Sequence, residues 1–88
     1  MSNTNSLFHG YNARANEKIK DLLFNHGLEG YGIFWCLCED LFKNGNMLKC
    51  DYKRIAYDLR TDEAKVKSVI NDFGLFKIDE ENYFKLIK

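Results

Sequence analysis

The side chains in this sequence best suited to a chemical task are cations and small polar groups of the kind that contact nucleic acid. Arginine and lysine bind phosphate oxygens, whereas serine and asparagine can hydrogen bond to base edges in a groove. Most of these side chains lie in the second half of the chain. We predict nucleic-acid contacts from Arg54, Arg60, Lys65, Lys67, Ser68, Asn71, Lys77 and Lys85.

The charge balance of the same region argues against strong DNA binding by this chain alone. Asp62 and Glu63 precede the segment that carries Lys65 and Lys67, and residues 79–81 are all acidic. The whole chain has 13 basic and 13 acidic residues, so no basic excess attracts nucleic acid. Because affinity for DNA follows the phosphate charge that a protein neutralises, the sequence favours a solvated or protein-contact surface, with DNA reading as the alternative.

Residue types that support catalysis or metal binding are present, but their spacing suits neither task. Cys36 and Cys38 stand two positions apart in a predicted helix, so their thiols point to different faces. Glu39 and Asp40 are adjacent and diverge by about 100° around a helix, which prevents them from sharing a proton across a substrate. We therefore expect no enzyme activity, no metal site, no cofactor and no small-molecule substrate.

The elements that must position the candidate DNA contacts follow one another in the order of a winged helix-turn-helix. Apolar spacing predicts a helix over Tyr52–Leu59 and, after a short break, a second helix over Asp62–Phe73. Thr61 or Asp62 can cap the second helix, and Gly74 is expected to end it in the left-handed conformation. Two β-rich runs follow, Leu75–Ile78 and Tyr83–Ile87, joined by a polar turn. The second helix is predicted to bury Val66, Val69, Ile70 and Phe73.

The first half of the chain predicts two more helices and a short strand. One helix runs from about Ala15 to His26 and ends at Gly27, and the next runs from Glu29 to Lys43. Residues 47–49 are predicted to form a strand that pairs with the later hairpin. The predicted buried residues are Ile19, Leu22 and Leu23 on the first helix, and Tyr31, Phe34, Trp35, Cys38, Leu41 and Phe42 on the second. The predicted fold class is α+β, mainly α: a winged helix-turn-helix with one extra N-terminal helix.

Length and hydropathy indicate one small domain. We predict a flexible arm over residues 1–7 and the winged-helix domain over residues 8–88, with Leu7, Phe8 and Tyr11 anchoring the arm. No apolar run approaches the roughly 20 residues that a membrane span needs, and the first residues lack the basic start and apolar core of a signal peptide. We expect a cytoplasmic protein with no membrane contact, which the three cysteines also fit.

The first half of the sequence also resembles a known family. The motif G-x-x-G-Y-G-x-x-W runs from Gly27 to Trp35, with the run His9–Arg14 before it and Glu39 after it. This pattern is similar to the N-terminal domain of phage replisome-organiser and DnaD-like replication-initiation proteins, and the similarity spans nearly the whole chain. The resemblance implies self-association, contact with DNA and with replication proteins such as a helicase loader, and a place at the head of a longer protein. It implies no catalytic residues.

Three functions follow as alternatives. The first is a winged-helix module of a phage or mobile-element replication-initiation protein, which acts through self-assembly and through contact with DNA and the primosome. The second is a sequence-specific transcriptional regulator, and the third is a pure protein-interaction domain. The first and third differ in whether Arg54, Arg60, Lys65 and Lys67 form one basic patch.

Overall fold

A long helix with one interruption supplies much of the core. The computed structural model describes residues 13–87. A short 3-10 helix, Ala13–Ala15, leads into helix α1, Glu17–Lys43. The side chain of Asn16 caps α1 by accepting hydrogen bonds from the backbone N–H groups of the next turn. The predicted arm over residues 1–7 and its apolar anchors Leu7, Phe8 and Tyr11 lie outside the described residues.

Gly27 interrupts α1 with backbone angles of φ 64° and ψ −156°. Only glycine adopts this region readily, since a Cβ would meet the neighbouring backbone. The sequence correctly placed a break at Gly27, but it predicted two separate helices there, whereas the two helical segments abut directly at this residue and form one kinked helix. The described part of the chain therefore has three α-helices, not the predicted four.

The other elements are short. Helices α2, Tyr52–Leu59, and α3, Glu63–Asn71, follow strand β1, Leu48–Lys49. Strands β2, Phe76–Ile78, and β3, Tyr83–Leu86, complete an antiparallel sheet in the order β1-β3-β2. The bounds of α2 agree with the sequence prediction, whereas α3 and the three strands are each shorter than predicted. The fold is a small α+β arrangement, mainly helical.

The turn between α2 and α3 is set by local capping. Arg60 ends α2 in the left-handed region, with φ 61°, and its backbone N–H bonds to carbonyls of the last turn. The side chain of Asp62 then accepts a hydrogen bond from the backbone N–H of Lys65 at 3.1 Å and so begins α3. Of the two capping residues that the sequence allowed, Thr61 and Asp62, the structure uses Asp62.

The core lies between α1, α3 and the inner face of the sheet. The ring of Phe76 contacts the rings of Phe34, in a tilted arrangement, and Phe84, edge to face, with centroid distances of 5.8 and 5.5 Å. The predicted stripe on the second half of α1 is rotated, because Ile33 and Leu37 are buried whereas Phe42 is 77% exposed. Two adjacent stripes of α1 are apolar at 3–4 spacing, so periodicity alone does not distinguish which one meets the core.

Candidate nucleic-acid interface

Helix α3 carries most of the predicted base contacts and is packed against both α1 and α2. Val66, Val69 and Ile70 are fully buried, which confirms three members of the predicted inward face, and Phe73 is half-buried just beyond the helix. Apolar contacts therefore fix which side of α3 faces the interior. The polar side chains of α3 then divide between partners within the fold and solvent.

The carboxylate of Glu29 on α1 accepts hydrogen bonds from two side chains at the start of α3. Nζ of Lys65 donates to Oε1 of Glu29 at 2.7 Å, and Oγ1 of Thr61 donates to Oε2 at 2.6 Å. The hydrogen bond from Lys65, and then the one from Thr61, hold the pKa of Glu29 below its ordinary value, while the bond to Glu29 raises the pKa of Lys65. The charge of Lys65, a predicted DNA contact, is thus compensated by a residue 36 positions earlier.

Two further predicted base contacts also have partners within the fold. Ser68 is half-buried, and its Oγ lies 2.9 Å from Nε2 of His26 on α1. Asn71 is exposed, but its amide donates to the hydroxyl of Tyr52 at 3.0 Å and to the backbone carbonyl of Lys67 at 2.8 Å. A base edge would have to replace these hydrogen bonds before it could be read by either side chain.

The surface that α3 presents to solvent is negatively charged. Lys67 is exposed, and its ammonium makes no ion pair with any described residue. Asp62, Glu63 and Asp72 are exposed on the same helix and its two caps. Because Lys65 is already paired, one uncompensated cation stands among three carboxylates. This distribution repels a phosphate backbone from the helix that would otherwise read bases.

The two predicted phosphate contacts that precede α3 differ in the contacts that their side chains make. Arg60 folds back on its own helix: Nη1 donates to the carbonyl of Tyr57 at 2.8 Å, and the guanidinium lies 5.6 Å from the centre of the Tyr57 ring. Arg54 is exposed on α2. Of the four cations that were to form one basic patch, two are therefore held by partners within the fold, namely Arg60 and Lys65.

The remaining predicted contacts lie on the outer face of the sheet, together with a third lysine. Lys77 on β2 stands directly opposite Lys85 on β3, and Lys49 on β1 stands opposite Tyr83 on β3. Because side chains alternate along a strand, Tyr83 and Lys85 share one face while Phe84 points into the core. Lys49, Lys77, Tyr83 and Lys85 together are called the outer sheet face.

The lysines of the outer sheet face lack anionic partners among the described residues. Nζ of Lys49 instead lies over the ring of Tyr83, 5.0 Å from its centre. Lys77 and Lys85 are among the predicted contacts, whereas Lys49 and Tyr83 were not predicted from the sequence. Strand alternation places Tyr83 beside Lys85, whereas only the register between β1 and β3, which is not readable from the sequence, brings in Lys49.

An apolar feature on α1 was also not predicted from the sequence. Phe24 is 90% exposed and Leu28 is 80% exposed, on either side of the break at Gly27. Leu23, predicted to be buried, is half-buried, while Phe24 beside it projects into solvent. Large apolar side chains left in water mark surfaces that contact other molecules when they form a patch. Phe24 and Leu28 are called the Phe24–Leu28 pair.

The cysteines of α1 have no features of a reactive site. Cys36 is half-exposed and Cys38 is buried, so the two thiols lie on different faces, as predicted. Burial raises the pKa of Cys38 to about 12, and burial together with the nearby carboxylates of Glu39 and Asp40 raises the pKa of Cys36. A raised pKa keeps a thiol protonated, and the protonated form is neither a nucleophile nor a metal ligand.

Comparison with known proteins identifies a family. The family described as Lin1244/Lin1753-like, N-terminal, has a sequence model that matches residues 8–85, nearly the whole chain. The function of this family is unknown, and the match does not connect the chain with DnaD-like replication proteins. No curated protein and no solved structure matches the chain. Among the described residues, no helix has the length and apolar character needed to cross a membrane.

Proposed function

The chain belongs to the Lin1244/Lin1753-like N-terminal family, and we propose that it is a winged-helix module of a phage or mobile-element DNA replication-initiation protein. In this proposal the module self-associates and contributes to contact with DNA and the primosome. The replication setting is supported by the motif from Gly27 to Trp35 and its resemblance to replisome-organiser proteins. The mode of action is supported by the surfaces described above.

A winged-helix arrangement is consistent with the order and pairing of the elements. Helices α2 and α3 are joined by a tight turn at Arg60, as in a helix-turn-helix. The hairpin of β2 and β3 follows α3 directly and is joined at one edge by β1. In this arrangement α3 corresponds to the reading helix and the β2–β3 hairpin to the wing.

The observation that carries the proposed self-assembly is the exposure of the Phe24–Leu28 pair. A second copy of the chain suits this pair as its partner, because the net charge of zero leaves no repulsion between copies. Burial of each such side chain contributes about 1.5–3 kcal/mol. Four such side chains in a symmetric contact contribute about 6–12 kcal/mol, which is comparable with the cost of association, about 4–15 kcal/mol, so we expect weak, concentration-dependent dimers.

Operator reading by a transcriptional regulator has less support from the structure. The N-terminal end of α3, which normally approaches the groove, begins with Asp62 and Glu63. Lys65 is held by Glu29, and Ser68 by His26. These contacts favour a module that assembles over one that reads a sequence. A pure protein-interaction domain is the second candidate, and it is favoured by the same acidic helix.

Light scattering over a range of protein concentrations tests the proposed assembly. We expect the apparent mass to rise with concentration above the 10.4 kDa of a single chain. The double variant Phe24→Gln and Leu28→Gln should remain monomeric, because glutamine keeps the helix but removes the apolar surface. Tyr57→Gln, which removes a 75% exposed ring from α2, is the matched control and should associate like the parent chain.

Labelled duplex and single-stranded DNA, added at low and at physiological salt, distinguish the alternatives. Assembly together with salt-dependent DNA binding supports the proposed module. Assembly without any DNA binding supports the protein-interaction domain. A chain that stays monomeric at every concentration contradicts the proposed self-assembly, and strong preference for one duplex sequence would support the regulator.

A further inference from the structure

The outer sheet face combines three lysines with one aromatic ring on three adjacent strands. Neighbouring strands lie about 4.8 Å apart, and residues two apart on a strand are separated by about 6.8 Å. The register therefore gathers Lys49, Lys77, Tyr83 and Lys85 within a small area. Cationic side chains around a ring on an open face are the chemistry with which proteins bind single-stranded nucleic acid without reading its sequence.

We propose that the outer sheet face binds single-stranded nucleic acid, with the lysines on phosphates and a base stacked on Tyr83. The inference rests on the DNA contact proposed above and deepens it: it moves the contact from α3 to the sheet and names the form of nucleic acid. Lys49 and Tyr83 become binding residues, in addition to Lys77 and Lys85.

The arrangement of Lys77 and Lys85 favours an anionic ligand. Like charges directly opposite each other on neighbouring strands destabilise a sheet. The charges of both ammonium groups are uncompensated within the described residues. A phosphate placed between them would replace this repulsion by two attractive contacts, so binding there relieves a cost that the free protein carries.

The contact between Lys49 and Tyr83 favours a single strand over a duplex. The ammonium of Lys49 lies over the ring at 5.0 Å, in the position that a stacked base would take. An exposed cation–π contact is weaker than stacking of a base on an aromatic ring, so an unpaired base can displace the lysine. The displaced ammonium is then free to contact a phosphate. A duplex keeps its bases stacked inside and cannot make this exchange.

Acidic residues at the end of the hairpin limit the extent of the site. Oδ1 of Asp79 accepts hydrogen bonds from the backbone N–H groups of Glu81 and Tyr83, which fixes this carboxylate in the turn. Glu80 and Glu81 are exposed beside it. They repel phosphates from the turn, so the contact is confined to the strands. A site this small covers fewer nucleotides than most single-strand binding folds, and we expect modest affinity.

Fluorescence anisotropy of a labelled thymidine oligonucleotide, titrated with the 88-residue chain at several salt concentrations, measures this contact. Three lysines on a single strand predict a slope near −2 for the logarithm of affinity against that of salt, at about −0.7 per phosphate contact. The double variant Lys77→Ala and Lys85→Ala should reduce the slope to about −0.7 and should unfold no earlier on heating, because it removes a repulsive pair. Lys20→Ala with Lys53→Ala, exposed lysines on α1 and α2, is the matched control and should leave the slope unchanged.

Variants of Tyr83 distinguish base stacking on the ring from attraction by charge alone. Tyr83→Ala should weaken binding of the oligonucleotide by about tenfold and leave binding of a duplex of equal length nearly unchanged, while Tyr83→Phe should retain single-strand binding. Equal losses on both ligands would overturn the single-strand assignment. An affinity that does not change in the Lys77 and Lys85 double variant, or a parent chain that binds no oligonucleotide even at low salt, would overturn the site itself. Light scattering of the same samples tests the proposed self-assembly independently of these binding results.

Discussion

Helix α3 and the outer sheet face carry the same cation, lysine, yet the fold treats it differently on the two surfaces. On α3, Lys65 is bonded to Glu29 at 2.7 Å, and the exposed Lys67 stands among acidic residues. On the sheet, Lys77 faces Lys85 with no carboxylate paired to either. On α3, therefore, Lys65 is paired within the fold and Lys67 is outnumbered by carboxylates. The lysines of the sheet remain available to a ligand.

The type of a residue therefore does not determine whether its charge is available to a ligand, because a partner within the fold can neutralise it. The partner of Lys65 comes from α1, a distant part of the chain, and it removes α3 from the strongest candidates for phosphate contact. The outer sheet face becomes basic because three strands bring together lysines that are isolated in the sequence. Because the contacts of α3 and those of the outer sheet face involve different residues, we expect substitutions on one surface to leave the other unchanged.

The largest effect on stability is expected at Gly30, which packs closely against the preceding turns of α1. A Cβ added at Gly30 would lie 2.4 Å from Cβ of His26 and 3.2 Å from Cδ1 of Leu22. Gly30→Ala must therefore shift the backbone that places His26 and Glu29 against α3. We expect a loss of about 1–3 kcal/mol in the free energy of unfolding, measured with urea. Binding at the outer sheet face should be unaffected while the protein remains folded.

Gly32→Ala is the control for the change at Gly30. Gly32 lies in the same helix, but a Cβ there meets nothing within 4 Å. Because alanine is the better helix former, this variant should be more stable than the parent by up to about 1 kcal/mol. A similar loss of stability in both variants would show that close packing at Gly30 is not the cause.

Lys77→Glu is expected to have the next largest effect. It should raise stability and weaken oligonucleotide binding. This substitution replaces a like-charge pair across β2 and β3 with an attractive one, and we expect a gain of about 0.2–1 kcal/mol in stability. The same substitution places a carboxylate on the outer sheet face and should weaken oligonucleotide binding. Urea unfolding and anisotropy measure the two quantities on one protein.

Lys67→Glu makes the same charge change on α3. It adds a further carboxylate to an acidic surface, so no gain in stability is expected, and oligonucleotide binding should change far less than with Lys77→Glu. If Lys67→Glu weakens binding as much as Lys77→Glu does, then α3 belongs to the contact surface and the two regions are not independent.

A smaller effect is expected from the acidic turn that borders the outer sheet face. Glu80→Gln combined with Glu81→Gln removes two exposed carboxylates and should raise oligonucleotide affinity by about threefold at low salt. The gain should disappear near 1 M salt, where charges are screened within about 3 Å. A gain that persists at high salt would indicate a change in the hairpin itself, and not the relief of repulsion.

Much of the local structure was predictable because its causes are local. The bounds of α2, the positive φ of Gly74, a cap at Thr61 or Asp62 and the break at Gly27 all follow from residue types within a few positions. The number of helices was not predictable in this way, because a glycine at a break does not determine whether the flanking segments abut in one kinked helix or separate into two. The rotation of α1 that exposes Phe42 likewise depends on which apolar stripe the rest of the molecule covers.

The candidate site was predictable only in part, for the same physical reason. Lys77 and Lys85 were found because they are lysines on two strands that the sequence itself predicts. The pairing of Lys65 with Glu29 and the position of Lys49 over Tyr83 each join residues more than 30 positions apart. Contacts at that separation are set by the packed fold, and no pattern within a helix or strand indicates them.

The smallest expected effect is a change in the pH dependence of stability through Glu29. Hydrogen bonds from Lys65 and Thr61 lower the pKa of Glu29 in the folded protein below the ordinary value of 4.5. A carboxyl group whose pKa is lowered by folding stabilises the protein above its unfolded pKa, and this contribution is lost as the pH falls through the folded pKa. The stability of the parent chain should therefore fall below about pH 4.5 more steeply than that of Glu29→Gln, as urea unfolding at about pH 7 and about pH 3.5 would show.

Glu81→Gln is the control for this prediction, because the same neutralisation in the exposed turn removes no contact with Lys65 or Thr61. It should leave the pH dependence close to that of the parent. Glu29→Gln also leaves Lys65 without its anionic partner, which makes α3 resemble the outer sheet face. If oligonucleotide affinity then rises and the rise is abolished by adding Lys65→Ala, pairing with Glu29 is what keeps α3 from binding. If affinity does not change, the carboxylates of Asp62, Glu63 and Asp72 are sufficient to exclude phosphate from that helix.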